Sequence, residues 1–510
     1  MSTTFLGKTR FSSQANEVFR FATDEFEALD LENEKFIERL QKLIEKHKTH
    51  QLPRLKELKR YYLADNNIKY RKDKTDEDAA DNRIASDFAR YITIFEQGYM
   101  LGKPVEYKNE NEDIFNHITD FSIQNNEAYH NVLIKTDLSI YGRAYELERV
   151  DGDKDSTRVS LIRLDPEQVF VVYDDTVQNN SLFAVRYYSF SDEENTVRNF
   201  AEVYTTDAIY YYSSDKESSE GKLKHQETED HNFNGVPINE FANNEDRTGA
   251  YEAVLDDIDA YDLSQSELAN FQQDSIDATL VVAGNPYTGT DENDFDDDGN
   301  INPNSRLGVT KAFKKARVMI LDDNPNPEGS KPEVYYLVKE YDTEGAEKYK
   351  ERLVNDILRF TFTPDTTDGN FAGVQSGQSM KYKLMASDNR RVTQERLFAK
   401  ALMRRLRLAV NIWKIKGSEA VAYEEINKTS IVFSPNVPQN DNELVEIIKA
   451  LYGIISDETL VELLAKFTGI EAEVELERLK KENEDEPTVT PRRPVKEVVE
   501  DDKSDIQKEE

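Results

Sequence analysis

Cysteine is absent from this chain. That removes disulfides, thiolate metal sites and cysteine nucleophiles, and it leaves the redox compartment open. No apolar run reaches the roughly eighteen residues of a membrane-crossing helix, so no membrane contact is expected. The opening stretch MSTTFLGKTRFSS lacks the apolar segment of a secretory leader. Histidine is scarce, with six in 510 residues. None sits in an HExxH pair or beside a recognisable Ser or Asp partner motif. His47 and His50 stand three residues apart, a spacing that suits a metal, but no third ligand is near and they read as surface side chains. Phosphate-binding glycine patterns are missing too. Gly7-Lys8-Thr9 has the tail of a P-loop, yet the required earlier glycine falls on Ser2 and no strand precedes it. No cofactor, no nucleotide hydrolysis and no enzyme activity are expected. Basic residues are the minority: 65 Lys and Arg stand against 100 Asp and Glu, a formal charge of −35. That balance argues against a basic clamp on nucleic acid.

What is present is enough for packed cores. The chain is 38% hydrophobic, with 26 Tyr and 25 Phe, and its length suggests two to four domains. Helical spacing of apolar residues predicts helices over 24–48, from Pro53 through Tyr62, over 83–99 and over 113–140, the last ended by Tyr141-Gly142. From Arg143 to about Phe241 the period becomes two. Arg143–Arg149, Gln168–Tyr173, Phe183–Tyr188 and Ala208–Tyr212 read as strands of an antiparallel sheet. The first 245 residues are therefore an α+β domain. Helices return at Tyr251–Ala278 and Glu344–Phe360. Between them lies a small mixed module with strands at Leu280–Ala283, Arg317–Leu321 and from Val334, an acidic loop at 291–302 and a Pro/Gly/Asn turn at 324–332. Ser379–Lys416 is the longest helical pattern. Two short helices follow over 440–465. Residues 471–510 hold 15 acids against 8 bases and read as a helix running into a disordered tail.

Three segments invite a chemical reading. Asp294, Asp296, Asp298 and Gly299 match the first positions of a calcium loop, but the closing Glu is replaced by Ser305. A solvated acidic turn and a weak cation site both fit, and the same three carboxylates would serve a metal-dependent nuclease. Arg390, Arg391, Arg396, Arg404, Arg405 and Arg407 spread around the long helix. They suit pairing with this chain's own acids or with a neighbouring subunit better than a phosphate clamp, which would gather them on one face. Residues 363–377 are polar, Gly-rich and too long for a helix–helix connector, which favours a functional loop.

Several stretches resemble the portal proteins of tailed bacteriophages, of the type found in long-tailed phages of Gram-positive bacteria. They are Asn82–Phe88 through Gly98–Pro104, Ser139–Glu146, Leu164–Phe170, Gly235–Asn244, Arg359–Asp365 through Asn370–Gly373, and Ser376–Leu384. The resemblance implies a portal fold. Residues 1–250 would form the wing, 251–278 and 341–362 two stem helices, and 279–340 the clip. Residues 363–377 would be the tunnel loop, 378–437 the long helix and wing return, 438–476 the crown and 477–510 an acidic tail. It implies a ring at one capsid vertex, by the family's usual count of about twelve subunits. The ring would be assembled in the host cytoplasm and carried in the virion. It would pass double-stranded DNA in packaging and ejection without reading its sequence. Implied partners are the terminase large subunit (which would supply the ATP hydrolysis), a head-completion or adaptor protein, and the major capsid and scaffolding proteins.

The DNA-facing residues of the tunnel loop would be Thr363, Asp365, Thr366, Asp368, Gly369, Asn370, Phe371, Gly373 and Gln375, with hinges at Gly369, Gly373 and Gly377. Twelve copies would carry about −420 charges, a wall along which a duplex slides instead of sticking. Two other readings of the residues stand beside this one: an acidic helical scaffold with no DNA passage, and the metal-dependent nuclease.

Overall fold

The computed structural model describes residues 10–74, 79–152, 158–191, 197–214, 222–276, 279–283, 291–316, 333–337, 342–366, 377–415, 423–436, 449–451, 454–456, 459–461, 464 and 472–485. The chain divides into two compact units, Met1–Ala372 with Lys383–Asn436, and Gly373–Tyr382 with Val437–Glu510.

In the first unit, a short strand β1 (Phe19–Arg20) leads to α1 (Thr23–Glu27) and α2 (Glu34–Lys46). The single helix expected over 24–48 is thus two. Leu29 and Leu31 turn into the core between them, and the Asn33 side chain caps α2 by accepting from the Lys35 N–H. A π-helical turn, His47–Gln51, joins α2 to α3 (Leu52–Tyr62), whose first turn holds Pro53. The helix expected from 83 starts later, as α4 (Phe88–Leu101), because residues before it are drawn out straight by side chains of another helix. After β2 (Glu106–Lys108), the helix expected over 113–140 is α5 (Glu112–Gln124) and α6 (Glu127–Tyr141). Asn126 takes φ +47° between them, and the Asn125 side chain bonds the Val159 carbonyl and Leu161 N–H instead. Gly142, at φ +81°, ends α6 as expected. A Cβ there would lie 2.1 Å from the Arg247 carbonyl oxygen.

Eight strands follow: β3 (Arg143–Asp151), β4 (Arg158–Leu164), β5 (Val169–Tyr173), β6 (Ser181–Ser191), β7 (Val197–Tyr204), β8 (Ala208–Ser214), β9 (Leu223–Asp230) and β10 (Ile238–Ala242). They make two sheets where one was expected. One has six strands in the order β1-β5-β6-β7-β8-β9, antiparallel except for the parallel β1–β5 pair; the other is β10-β3-β4. β9 escapes a pattern reading because it is an exposed edge strand, LKHQETED, whose charges discourage further pairing. α2 lays Phe36, Ile37, Leu40 and Ile44 on Phe170, Phe183, Val185 and Val203 of the large sheet. β3 alternates as a two-faced strand must. Tyr145 and Leu147 join Val169, Val171 and Ala184, while Glu146 points the other way, to Arg405.

Next come α7 (Leu255–Ile276), β11 (Thr279–Ala283), α8 (Arg306–Ala316), β12 (Glu333–Leu337) and α9 (Thr343–Phe360). β11 and β12 pair antiparallel, and α7 packs antiparallel to α9, with the Lys350 ammonium donating to Gln265 at 2.8 Å. The strand expected at Arg317–Leu321 and the turn over 324–332 lie outside the described residues. α10 (Gly377–Ile415) has 39 residues, about 58 Å at 1.5 Å each. α11 (Tyr423–Ile426) and β13 (Ser430–Val432), which pairs with β2, return the chain to the body. The second unit contributes α12 (Ala472–Asp485) and helical turns at 449–451 and 459–461. The rest of the expected crown and tail lies outside the described residues.

Candidate functional site

The root of the segment expected as a loop over 363–377 is built from the end of α9. The Thr361, Phe362 and Thr363 N–H groups donate to the carbonyls of Ile357, Arg359 and Leu358 at 3.2, 3.2 and 2.9 Å. This is a Schellman end, in which the last two bonds require a left-handed residue at position 362. That residue is Phe362, at φ +57°. Glycine is the default there, and a side-chain-bearing residue costs about 1–2 kcal/mol. Pro364 follows and bars α9 from growing through the root.

Side chains from two other helices then hold this turn. Ser387 donates to the Phe362 carbonyl at 2.6 Å. Arg390 donates to the Thr361 carbonyl, and its guanidinium lies 5.8 Å from the Phe362 ring centre. The Tyr91 hydroxyl donates to the Pro364 carbonyl at 3.2 Å and lies 2.9 Å from the Thr366 hydroxyl. Of the loop residues expected to face DNA, Thr363 is a correction: it is 5% exposed and within 3.1 Å of the Thr361 hydroxyl, so it anchors the turn. Asp365 is half-buried and Thr366 exposed. Asp368, Gly369, Asn370, Phe371, Gly373 and Gln375 lie outside the described residues.

Beneath the root is a buried charged network. Glu96 receives Arg390 at 2.8 Å, Lys135 at 3.0 Å and the Ser139 hydroxyl at 2.7 Å. Burial alone would raise the Glu96 carboxyl, but Lys135 and Arg390 outweigh it and hold it down to about 2. A second network centres on Arg405, which is fully buried and meets Glu146 at 2.6 Å and Glu127 at 2.7 Å. Burial likewise opposes ionisation of Glu146, and Arg405 with His130 brings it to about 2. Glu148, two residues along the same strand face, has no hydrogen-bond partner for either oxygen among the described residues, and burial pushes it well above the carboxylate range.

Most of the α10 arginines are therefore engaged within the chain. Arg391 pairs with Asp388 and Glu395, Arg404 donates to the Val236 and Ile238 carbonyls, and Arg407 bonds Asn427. Arg396 is exposed. Sequence reasoning missed Tyr91, Ser387 and Glu96 as anchors of the loop. Only Glu96, one acid within YITIFEQGYM, left a signal.

The acidic turn uses its carboxylates on its own backbone. Asp296 accepts from the Asp298 and Asn300 N–H groups at 3.1 and 2.8 Å, and Asp294 accepts from the Leu307 N–H at the start of α8. Gly299 takes φ +79°. Among the described residues no group of three or more His, Asp or Glu side chains is arranged to hold a metal. His47 corrects the surface reading. It is 1% exposed, stacks on Phe170 and lies 2.8 Å from the Tyr187 hydroxyl. Burial, with Arg143 and Lys48 nearby, lowers it to about 3, so it is neutral. No helix among the described residues is long and apolar enough to cross a membrane. A groove of about 520 Å³ lies elsewhere, between α2 and β6–β7, bordered by Lys42, Lys48, Tyr187 and Phe200.

Comparison with known proteins gives a consistent match. The family described as "Phage portal protein, SPP1 Gp6-like" matches residues 41–488. The portal protein of Bacillus phage SPP1 is 24% identical over 448 residues, covering 83% of this chain and 82% of that relative. Two solved structures, the virion of a native gene transfer agent particle and the neck of an empty one, are similar at 12% and 11% identity. Their TM-scores are 0.37 and 0.39, and each match covers 81% of this chain and 93% of the other.

Proposed function

This chain belongs to the SPP1 Gp6-like phage portal protein family, and on that premise we propose that it is the ring subunit through which double-stranded DNA enters and leaves a capsid. The family match over residues 41–488 is the observation that carries this reading. About twelve subunits close a ring at one vertex. The module between α7 and α9 is the docking platform for the terminase and then for a head-completion protein, and the loop after α9 faces the duplex as a gate.

Two physical facts support passage without capture. The chain carries −35, and most of the α10 arginines are already engaged by its own acids and carbonyls. A wall of that kind releases few counterions from DNA and so holds it weakly. The ring itself is passive, with ATP hydrolysis supplied by the docked motor.

Electron microscopy of the purified protein tests the ring. Closed rings with an axial hole are expected; monomers or open filaments would turn the reading toward an acidic scaffold. Replacing Asp365–Gln375 by a short Gly/Ser linker tests the gate. Shortened or leaking genomes are expected, and full-length packaging with full retention would discard it.

A further inference from the structure

Residues 80–86, just before α4, run along α7. The two are joined by a repeating ladder. The N–H groups of Ala80, Asn82, Ile84 and Ser86 donate to side chains of Asp274, Asn270, Ser266 and Asp262 at 3.1, 2.6, 2.9 and 2.8 Å. Each step is two residues on the strap and four on the helix, in opposite directions. An extended chain advances about 6.7 Å in two residues and a helix about 6.0 Å in four, so the two periods nearly coincide. The acceptors Asp262, Ser266 and Asn270 are all buried. Asn66 locks the last rung, donating to Asp262 at 2.6 Å and to the Ser86 carbonyl at 2.9 Å.

The strap runs straight into α4, and α4 carries the two groups that reach the loop root. Tyr91, in its first turn, holds Pro364 and Thr366, and Glu96 holds the Arg390 that holds Thr361. We propose that this strap is a tie: it makes α4, and through Tyr91 the loop root 361–366, follow the position of α7. The root is then clamped from both stem helices, by chain continuity with α9 and through the strap from α7. The ladder and its coupling are properties of the folded chain; their meaning as control of a DNA-facing loop rests on the portal reading.

Residue-resolved hydrogen exchange on the full chain tests the tie. In Ser266→Ala/Asn270→Ala, the Asn82 and Ile84 amides are expected to exchange about tenfold faster, and the Thr363 and Thr366 amides to speed up with them. Faster strap amides with an unchanged root would overturn the coupling. So would wild-type strap amides that exchange as in a free peptide. Should the double variant fail to fold, Tyr91→Phe decides alone. Thr366 should accelerate while the strap stays protected, and an unchanged Thr366 would refute the link. Micrographs of the same samples keep the two ideas apart, since missing rings would sink the portal reading and leave the exchange result standing.

Discussion

α7 and α10 are both long, and both bury polar side chains, but with opposite partners. α10 turns donors inward. Arg390, Arg404 and Arg405 are answered by carboxylates and carbonyls from α4, α6, β3 and β10. α7 turns acceptors inward, and Asp262, Ser266, Asn270 and Asp274 are answered by backbone N–H groups of a strap that has no ladder of its own. A helix can therefore hide a polar face if its partner repeats at the same period (the strap) or brings full charges (the acids facing α10). The charged solution costs more to build and more to break, because an orphaned buried charge is worse than an orphaned amide.

The largest expected effect breaks the α10 side. Arg405→Leu leaves Glu146 and Glu127 buried without their cation and should destabilise the first unit by about 3–5 kcal/mol, read by chemical denaturation. A cost below about 1 kcal/mol would mean that the network is not holding the helix.

Acid separates the two helices by sign. Glu96 and Glu146 sit at about 2 when folded, below the ordinary value of 4.5. Their contribution is complete above about 4.5 and is lost as pH falls toward 2, on the order of 3 kcal/mol each at most. Asp262 is shifted the other way, raised by burial against the bonds from Ser86 and Asn66. Its contribution is complete at low pH and is lost as pH rises through its folded value. Stability measured against pH should therefore show a shallower acid loss in Glu146→Gln than in the wild type. Asp262→Asn should gain on the wild type as pH rises. Stability differences from the wild type that change with pH in the same direction for both variants would contradict the contrast between the helices.

The smallest effect tests a single rung. Ser266→Ala strands the Ile84 N–H and should cost about 1–2 kcal/mol, seen as a lower denaturation midpoint. A neutral result would show that water replaces the hydroxyl and that the seam is looser than the α10 core.

Much of the fold is legible because periodicity reports which face is buried. α7, α9, the long helix α10, Gly142 as a terminator and the strands β3, β5, β6, β8, β11 and β12 follow from it. The failures have local causes. Asn125-Asn126 reads as helix interior until the Asn125 side chain is seen on β4. Residues 83–87 carry a helical pattern, yet the Ile84 and Ser86 N–H groups are taken by Ser266 and Asp262, some 180 residues away in sequence. Tyr91 sits among apolar neighbours, where nothing marks its hydroxyl as the partner of Pro364. The end of α9 that begins the candidate site was legible; the side chains that anchor its root were not.

Composition and order alone settled the acidic balance, the absence of thiol chemistry, the alternation of helical and strand segments and the family to which they belong, since these depend only on which residues follow one another. Which arginines meet which acids, why Thr363 turns inward and how a strap finds its register on α7 were decided by tertiary structure. Those depend on distances between residues far apart in the chain, and on the cost of leaving any one buried polar group without a partner.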